Sequence, residues 1–207
     1  MGIWKAFFNN TRKPEGLLGK VYGGQYEPCP CCPLADWGLS HLPETGPSQI
    51  AELGCGGGRN IRALLRKYPA ATITALDYSE ISVERAKRVN REGLQAGRCQ
   101  ILQGDVSRLP LGMVRLIWRP HLKPYISGLT GGEFPGGVPH PATRRHFLIV
   151  NESDGENSQD NKWLSVIDGM RICNGDQLTR FLTKAGFSKV IMDKDAKKHW
   201  LCALAIR

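Results

Sequence analysis

The chain has 207 residues, 41% of them hydrophobic and 23% charged, which suffices for one domain with a sizeable buried core. Its 28 Lys and Arg against 19 Asp and Glu give a formal net charge of +9, no apolar run is long enough to span a bilayer, and the N-terminus carries no secretory pattern. Ala6 stands where myristoylation after Met1-Gly2 needs serine or threonine, and seven cysteines, an odd number without an export signal, suit a reducing compartment better than a disulfide framework. The expectation is a cytoplasmic protein with no membrane partner.

In chain order, the first group with chemical potential is Cys29-Pro30-Cys31-Cys32. Tetrahedral zinc wants about four suitably spaced ligands. No partner pair is evident, so no metal site is assigned. Gln49 to Leu53 is short and largely apolar and reads as a buried strand. Ile61, Leu64, Leu65 and Tyr68 then recur at the i, i+3, i+4, i+7 spacing of a helix packed on one face. Between the two lies AELGCGGGRN, residues 51–60, a glycine turn where a backbone with few Cβ atoms can approach a ligand and present helix N–H groups to it.

Ala71 to Leu76 reads as a second strand ending at Asp77, 23 residues after Gly54. An acid about 20 residues beyond a glycine loop is where a dinucleotide fold keeps its ribose hydroxyl acceptor. Asp77 also fits as a helix-capping acid. Tyr78-Ser79-Glu80 opens an amphipathic helix carrying Ile81, Val83, Ala86 and Val89, which Ser79 is equally able to cap. A third strand, Cys99 to Leu102, leads into Gln103-Gly104-Asp105-Val106, another carboxylate at the strand edge where open α/β sheets bind ligands.

Residues 112–146 are dense in glycine and proline, as in GLTGGEFPGGVPHPATRRH, and a loop that long is unusual inside a compact domain. Only Val114 to Trp118 (VRLIW) is apolar enough for a fourth strand, with 119–146 expected to be irregular. Phe147 to Asn151 is a continuous apolar run, as in a strand covered on both faces. Leu178, Phe181, Leu182 and Ala185 form a helical stripe stopped by Gly186. Val190 to Met192 and Trp200 to Ile206 read as two antiparallel strands.

Glu52, Gly54, Gly56 and Gly58 match E-x-G-x-G-x-G, and Arg59 stands where an NAD fingerprint starting at Gly54 needs glycine or alanine. With Asp77 and Asp105, this resembles the class I S-adenosylmethionine-dependent methyltransferases, specifically the bacterial small-molecule type. The resemblance implies an α/β, Rossmann-like, doubly wound fold. Its sheet is mainly parallel and seven-stranded with an antiparallel C-terminal hairpin. Residues 1–44 are expected to form a short helical N-terminal cap and 45–207 the methyltransferase domain. The cofactor implied is S-adenosyl-L-methionine. Its methionine part falls to Glu52, Gly54, Cys55, Gly56, Gly57, Gly58 and Asn60, its ribose hydroxyls to Asp77 with Tyr78 and Ser79, and its adenine to Asp105 with Val106. A sulfonium already carries an activated methyl group, so no dedicated nucleophile is demanded and no catalytic residue is assigned.

The resemblance lacks a fourth strand and its following helix, and coding frame offers a reason. LIWRPHLKPYISGLT, residues 116–130, has codon choices that give FDLATAFETIYFWPD one base earlier. FPGGVPHPATRRH, residues 134–146, has choices that give SREVCRILRPGGT one base later, and GQYEPCPCC, residues 24–32, yields GNMNPVHAA. All three are close to what the family carries there. Residues 24–32 and 112–146 are therefore read as out-of-frame segments, which weakens any metal claim for the cysteines. Segment 112–146 holds Arg115, Arg119, Lys123, Arg144 and Arg145 against Glu133, so +4 of the +9 resides there and the rest is an ordinary surface balance. A nucleic-acid partner is not implied.

The leading expectation is methyl transfer to a small-molecule acceptor. The alternatives are an RNA or protein methyltransferase, disfavoured by the absence of an Asn-Pro-Pro or Asp-Pro-Pro signature, and a catalytically impaired cofactor-binding protein. Methylation of a metalloid bound by Cys29, Cys31 and Cys32 is a further option that the frame reading counts against.

Overall fold

A computed structural model describes residues 32–45, 47–105, 116–120, 146–160, 162, 164 and 172–207. Its elements run α1 (Cys32–Ser40), β1 (Gln49–Leu53), α2 (Arg59–Lys67), β2 (Thr72–Asp77), α3 (Glu80–Val89), α4 (Arg91–Gln95), β3 (Cys99–Gln103), β4 (Leu116–Pro120), β5 (His146–Asn151), α5 (Gly175–Lys184), β6 (Lys189–Asp195) and β7 (Trp200–Ile206). Residues 1–31 of the expected N-terminal cap lie outside the described residues, and α1 falls in the remainder of that segment.

The strands join one sheet in the order β3-β2-β1-β4-β5-β7-β6. β1 pairs in parallel with β2 and β4, β2 with β3, and β4 with β5, while β7 runs antiparallel to both β5 and β6. This is the expected mainly parallel α/β sheet with an antiparallel C-terminal pair.

Side-chain alternation explains the layers. Leu148 and Val150 of β5 join the core formed with α1, α2 and α3, whereas Phe147 and Ile149 join a second core with Leu178, Leu182 and Phe187. β5 is thus covered on both faces, as its unbroken apolar run requires. On α2, Ile61 and Leu64 are fully buried and Tyr68 nearly so, each apolar side chain contributing roughly 1.5–3 kcal/mol. α1 lies close on β5 because Gly38 has no Cβ; one built there would sit 2.5 Å from Val150 Cγ2.

Helix ends follow their local chemistry. Ser79 caps α3 by accepting from Ser82 N, and Asn174 with Gln177 forms a capping box on α5. α5 stops at Gly186 (φ 89°), where Phe187 N reaches Leu182 O and Gly186 N reaches Thr183 O, the paired bonds of a Schellman motif.

Three sequence expectations shift. Phe181, placed in the buried stripe of α5, is 40% exposed, and Phe187 beyond the helix fills that core instead, stacked on Phe147. β4 begins two residues later than Val114 and ends at Pro120, whose missing N–H is tolerated at a strand terminus. α4 was not foreseen. It follows Asn90, a buried residue whose carboxamide donates to Gly58 O at 2.8 Å and Ala86 O at 2.9 Å, tying the end of α3 to the glycine turn.

α1 is fastened to the far end of the chain as well as to β5. His41 lies 2.6 Å from Asp193 of β6, Trp37 packs against Trp200 of β7 with ring centroids 5.8 Å apart, and Lys198 sits 4.2 Å above the Trp200 ring. After β5, the buried Asp154 accepts from Glu156 N at 2.9 Å and meets Lys194 at 3.0 Å and His199 at 3.1 Å. Burial alone would raise its carboxyl, but these donors outweigh burial and hold it at about 2. That places the β6–β7 connection against the loop after β5.

Candidate active site

β1 and β2 run in parallel and end at the same sheet edge, so the turn after Leu53 and the acid ending β2 meet there. Leu76 O accepts from both Gly54 N (2.7 Å) and Cys55 N (3.1 Å), which folds the turn over the end of β2. Gly54, Gly56 and Gly58 all have positive φ, at 72°, 50° and 81°. At Gly56 a side chain would meet nothing within 4 Å, so the backbone faces open space. At Gly58 the opposite holds: a Cβ would lie 2.8 Å from Ala86 Cα and 2.6 Å from Asn90 Nδ2. Gly58→Ala is therefore expected to destabilise the fold by about 1–3 kcal/mol, read as a lowered denaturant midpoint; an unchanged midpoint contradicts this packing.

Asp77 is 5% exposed and anchors the turn. Its Oδ2 accepts from Gly56 N and its Oδ1 from Ser79 N, each at 2.9 Å. The cap of α3 is Ser79, so the helix-capping role considered for Asp77 belongs to its neighbour. Burial raises the Asp77 carboxyl, and the two backbone donors offset part of that rise. Tyr78 is half-buried, and its carbonyl accepts from Gln103 Nε2 at 3.3 Å.

Glu52 is the site's most demanding group. It is wholly buried on β1, and among the described residues neither carboxyl oxygen has a partner within hydrogen-bonding geometry. Burial holds its carboxyl well above the ordinary range; the neighbouring Asn60 carboxamide eases this and the Asp77 charge adds to it. An unsatisfied buried carboxyl costs free energy unless a ligand supplies donors. Cys55 is buried, and burial, followed by the charges of Glu52 and Asp77, pushes its thiol far above its ordinary value. It is an inert packing group here.

Asp105 lies just past β3 and is exposed, and Gly104 N bonds Asp77 O at 2.9 Å, so the third acid sits at the same edge as the second. Val106 lies outside the described residues. Among the described residues no group of three or more His, Cys, Asp or Glu is arranged to hold a metal ion, and no helix is long and apolar enough to cross a membrane. Cys29 and Cys31 lie outside the described residues.

The arrangement has a definite charge preference. A glycine turn opening a helix usually welcomes phosphate, yet this one is backed by two buried carboxyls. It suits a ligand that brings cationic donors and hydroxyls, and it disfavours a diphosphate. Two positions had no role assigned from sequence: Asn90, which holds Gly58 O, and Asp36 of α1, whose Oδ1 lies 2.6 Å from Arg59 Nη2. Neither carries a local signal, since each acts on a residue more than 20 positions away.

Comparison with known proteins bears on the same segment of the chain. A family model described as a methyltransferase domain matches residues 50–119, from β1 into β4. Malonyl-[acyl-carrier protein] O-methyltransferase of Paenibacillus sp. (strain JDR-2) is 26% identical over 167 residues, covering 73% of this chain and 59% of that protein. Trans-aconitate 2-methyltransferase of Yersinia pestis (strain Pestoides F) is 27% identical over 82 residues, covering 40% of this chain and 26% of the other. The chain thus spans less than two thirds of the length of these curated relatives, 59% of one and 26% of the other. A SAM-dependent methyltransferase from Aquifex aeolicus shares the fold with a TM-score of 0.60 at 16% identity, over 83% of this chain and 88% of the other. The domain match falls on the segment that carries the orphaned carboxyl, and over residues 50–119 the chain is similar to methyltransferase domains.

Proposed function

We propose that the chain transfers a methyl group from S-adenosyl-L-methionine to a small-molecule acceptor in the cytoplasm. The observation that carries this reading is Glu52, a wholly buried carboxyl beside a glycine turn with no hydrogen-bond partner among the described residues. The amino-acid end of the cofactor offers the ammonium donors such a group needs. In this reading Gly54, Cys55, Gly56, Gly57, Gly58 and Asn60 surround that end. The Asp77 carboxylate, with Tyr78 and Ser79, takes the ribose hydroxyls, and Asp105 with Val106 flanks the adenine. The scaffold is the seven-stranded methyltransferase sheet, residues 45–207, with 1–44 as its helical cap.

The bound cofactor supplies an activated methyl group. The chain's own work is to hold that cofactor rigidly at the sheet edge, align an acceptor with it and exclude water. The names of the two curated relatives, one acting on a malonyl group and one on trans-aconitate, support small carboxylic acids as the first acceptor class to screen. Calorimetry with S-adenosylmethionine and with its demethylated product tests the core of the reading; folded protein that binds neither one overturns it.

Segments 24–32 and 112–146 bear on activity. Reading them as out of frame means that the region expected to shape the acceptor pocket is altered, so a frame-restored chain should exceed the written one in methyl transfer. Sequencing the gene at its source decides the matter: an uninterrupted frame encoding residues 112–146 as written refutes it.

A further inference from the structure

We propose that His199, oriented by Asp154, recognises the methyl acceptor, its Nε2–H donating to a carboxylate remote from the atom that is methylated. This rests on the cofactor placement proposed above, which puts the adenine at β3, the ribose at β2 and the amino-acid end at β1, and leaves the ends of β4 and β5 to the acceptor. β1, β4 and β5 run in parallel, so Asp154, just past the C-terminal end of β5, lies at the edge that holds the glycine turn. β7 runs antiparallel to β5 with Leu201 opposite Asn151, which returns His199 to that same edge. In the sheet β7 follows β5, three strand spacings or about 14 Å from β1. His199 therefore bounds the acceptor's stretch of the edge on the side away from the cofactor.

The ring is held for such a contact. Asp154 is 1% exposed; its Oδ2 faces His199 Nδ1 at 3.1 Å and Lys194 Nζ at 3.0 Å, while its Oδ1 accepts from Glu156 N at 2.9 Å. A carboxylate only accepts, so Nδ1 carries a hydrogen and Nε2 is the ring atom left for another molecule. The His199 side chain is 43% exposed, and Nε2 has no hydrogen-bond partner among the described residues. Among those residues His199 is also the only one besides glycines with positive φ, at 56°, a conformation that local contacts must hold in place. Asp195 fixes the turn before it, accepting from Lys197 N and Lys198 N at 3.1 Å each. The charged groups around the ring are Asp154 and Glu156 of the loop after β5, both paired with Lys194 of β6, and Asp195, Lys197 and Lys198 at the turn. With the ring protonated, the cations of this corner outnumber its acids, which suits an anionic ligand.

The test is calorimetry with glutarate, a five-carbon dicarboxylate, at pH 6.5 and pH 8 on protein saturated with the demethylated cofactor product. The imidazolium form supplies the Nε2–H, so wild-type affinity should be about 3- to 10-fold stronger at pH 6.5, where a free imidazole is half protonated. His199→Asn separates recognition from structure. Asparagine accepts positive φ and sets an amide donor near the place of Nδ1, so the bond to Asp154 survives and Nε2 alone is lost. That variant should melt and bind the cofactor product as wild type does, yet bind glutarate about 10-fold more weakly at pH 6.5 and equally at the two pH values. Lys197→Gln removes a charge from the same turn and should change glutarate affinity by less than about 2-fold. Wild-type glutarate affinity in His199→Asn, or an equal loss in Lys197→Gln, overturns the proposal. Wild-type affinity that is the same at both pH values overturns it without any variant, as does a wild type that binds the product but not glutarate. A wild type that does not bind the product overturns the cofactor reading itself, and this inference with it.

Discussion

Asp77→Ala is expected to weaken S-adenosylmethionine binding by about 3–6 kcal/mol, the sum of two hydrogen bonds to a charged acceptor at roughly 1.5–3 kcal/mol each. The loss has two sources that separate experimentally. One is the acceptor proposed for the ribose hydroxyls. The other is the turn itself, because Asp77 holds the N–H groups of Gly56 and Ser79, and its removal leaves both without that partner. Asp77→Asn keeps one oxygen and should restore part of the turn without restoring a charged acceptor, giving an intermediate affinity. Comparing a ligand that lacks the ribose hydroxyls isolates the first source: the deficit of Asp77→Ala should shrink for that ligand. If Asp77→Ala binds S-adenosylmethionine as wild type does, the carboxylate only fastens the loop.

Glu52→Gln should move two measurements in opposite directions. Truncating one side of a buried charge pair costs about 2–5 kcal/mol of binding, so affinity for the cofactor and its product falls. Apo stability should rise at the same time. Burial puts the folded carboxyl well above its free value of 4.5, so the folded state keeps a proton that the unfolded chain releases. Stability linked to this group is therefore fully present below the free value and declines as the pH climbs from there through the raised folded value. Glutamine has no proton to lose, and its melting temperature should vary less across that window. Asp77, also raised by burial, keeps its own share of the slope. A variant that loses stability and retains affinity contradicts the assignment of Glu52.

Much of this site was legible because its signals are local. E-x-G-x-G-x-G spans one turn, Asp77 ends an apolar strand, and Ser79 opens an amphipathic helix, so periodicity and turn chemistry suffice. The misses have a common physical cause. Phe181 occupies a stripe position yet faces outward, because Phe187, beyond the helix and brought back by the Schellman turn, takes the space in that core. In the sequence Arg59 does no more than exclude an NAD fingerprint, since its partner Asp36 is 23 positions earlier in the chain. The contact of His41 with Asp193 is farther still, 152 positions apart. β4 was located but shifted by two residues, as no cap or turn marks where an isolated apolar pentad begins.

The strand order carries a consequence for biosynthesis. β7 is the last strand in sequence, yet it lies between β5 and β6, and its residues close the core on both faces of the sheet. During translation β6 emerges first and has no native neighbour in the sheet until Trp200–Ile206 follows. Trp37 of α1 likewise lacks Trp200. Nascent chains arrested before residue 200 should therefore remain protease-sensitive throughout and depend on chaperones, because such long-range pairing is slow and leaves apolar edges exposed while it waits. Chains in which residues 200–206 have also emerged should become resistant in one step.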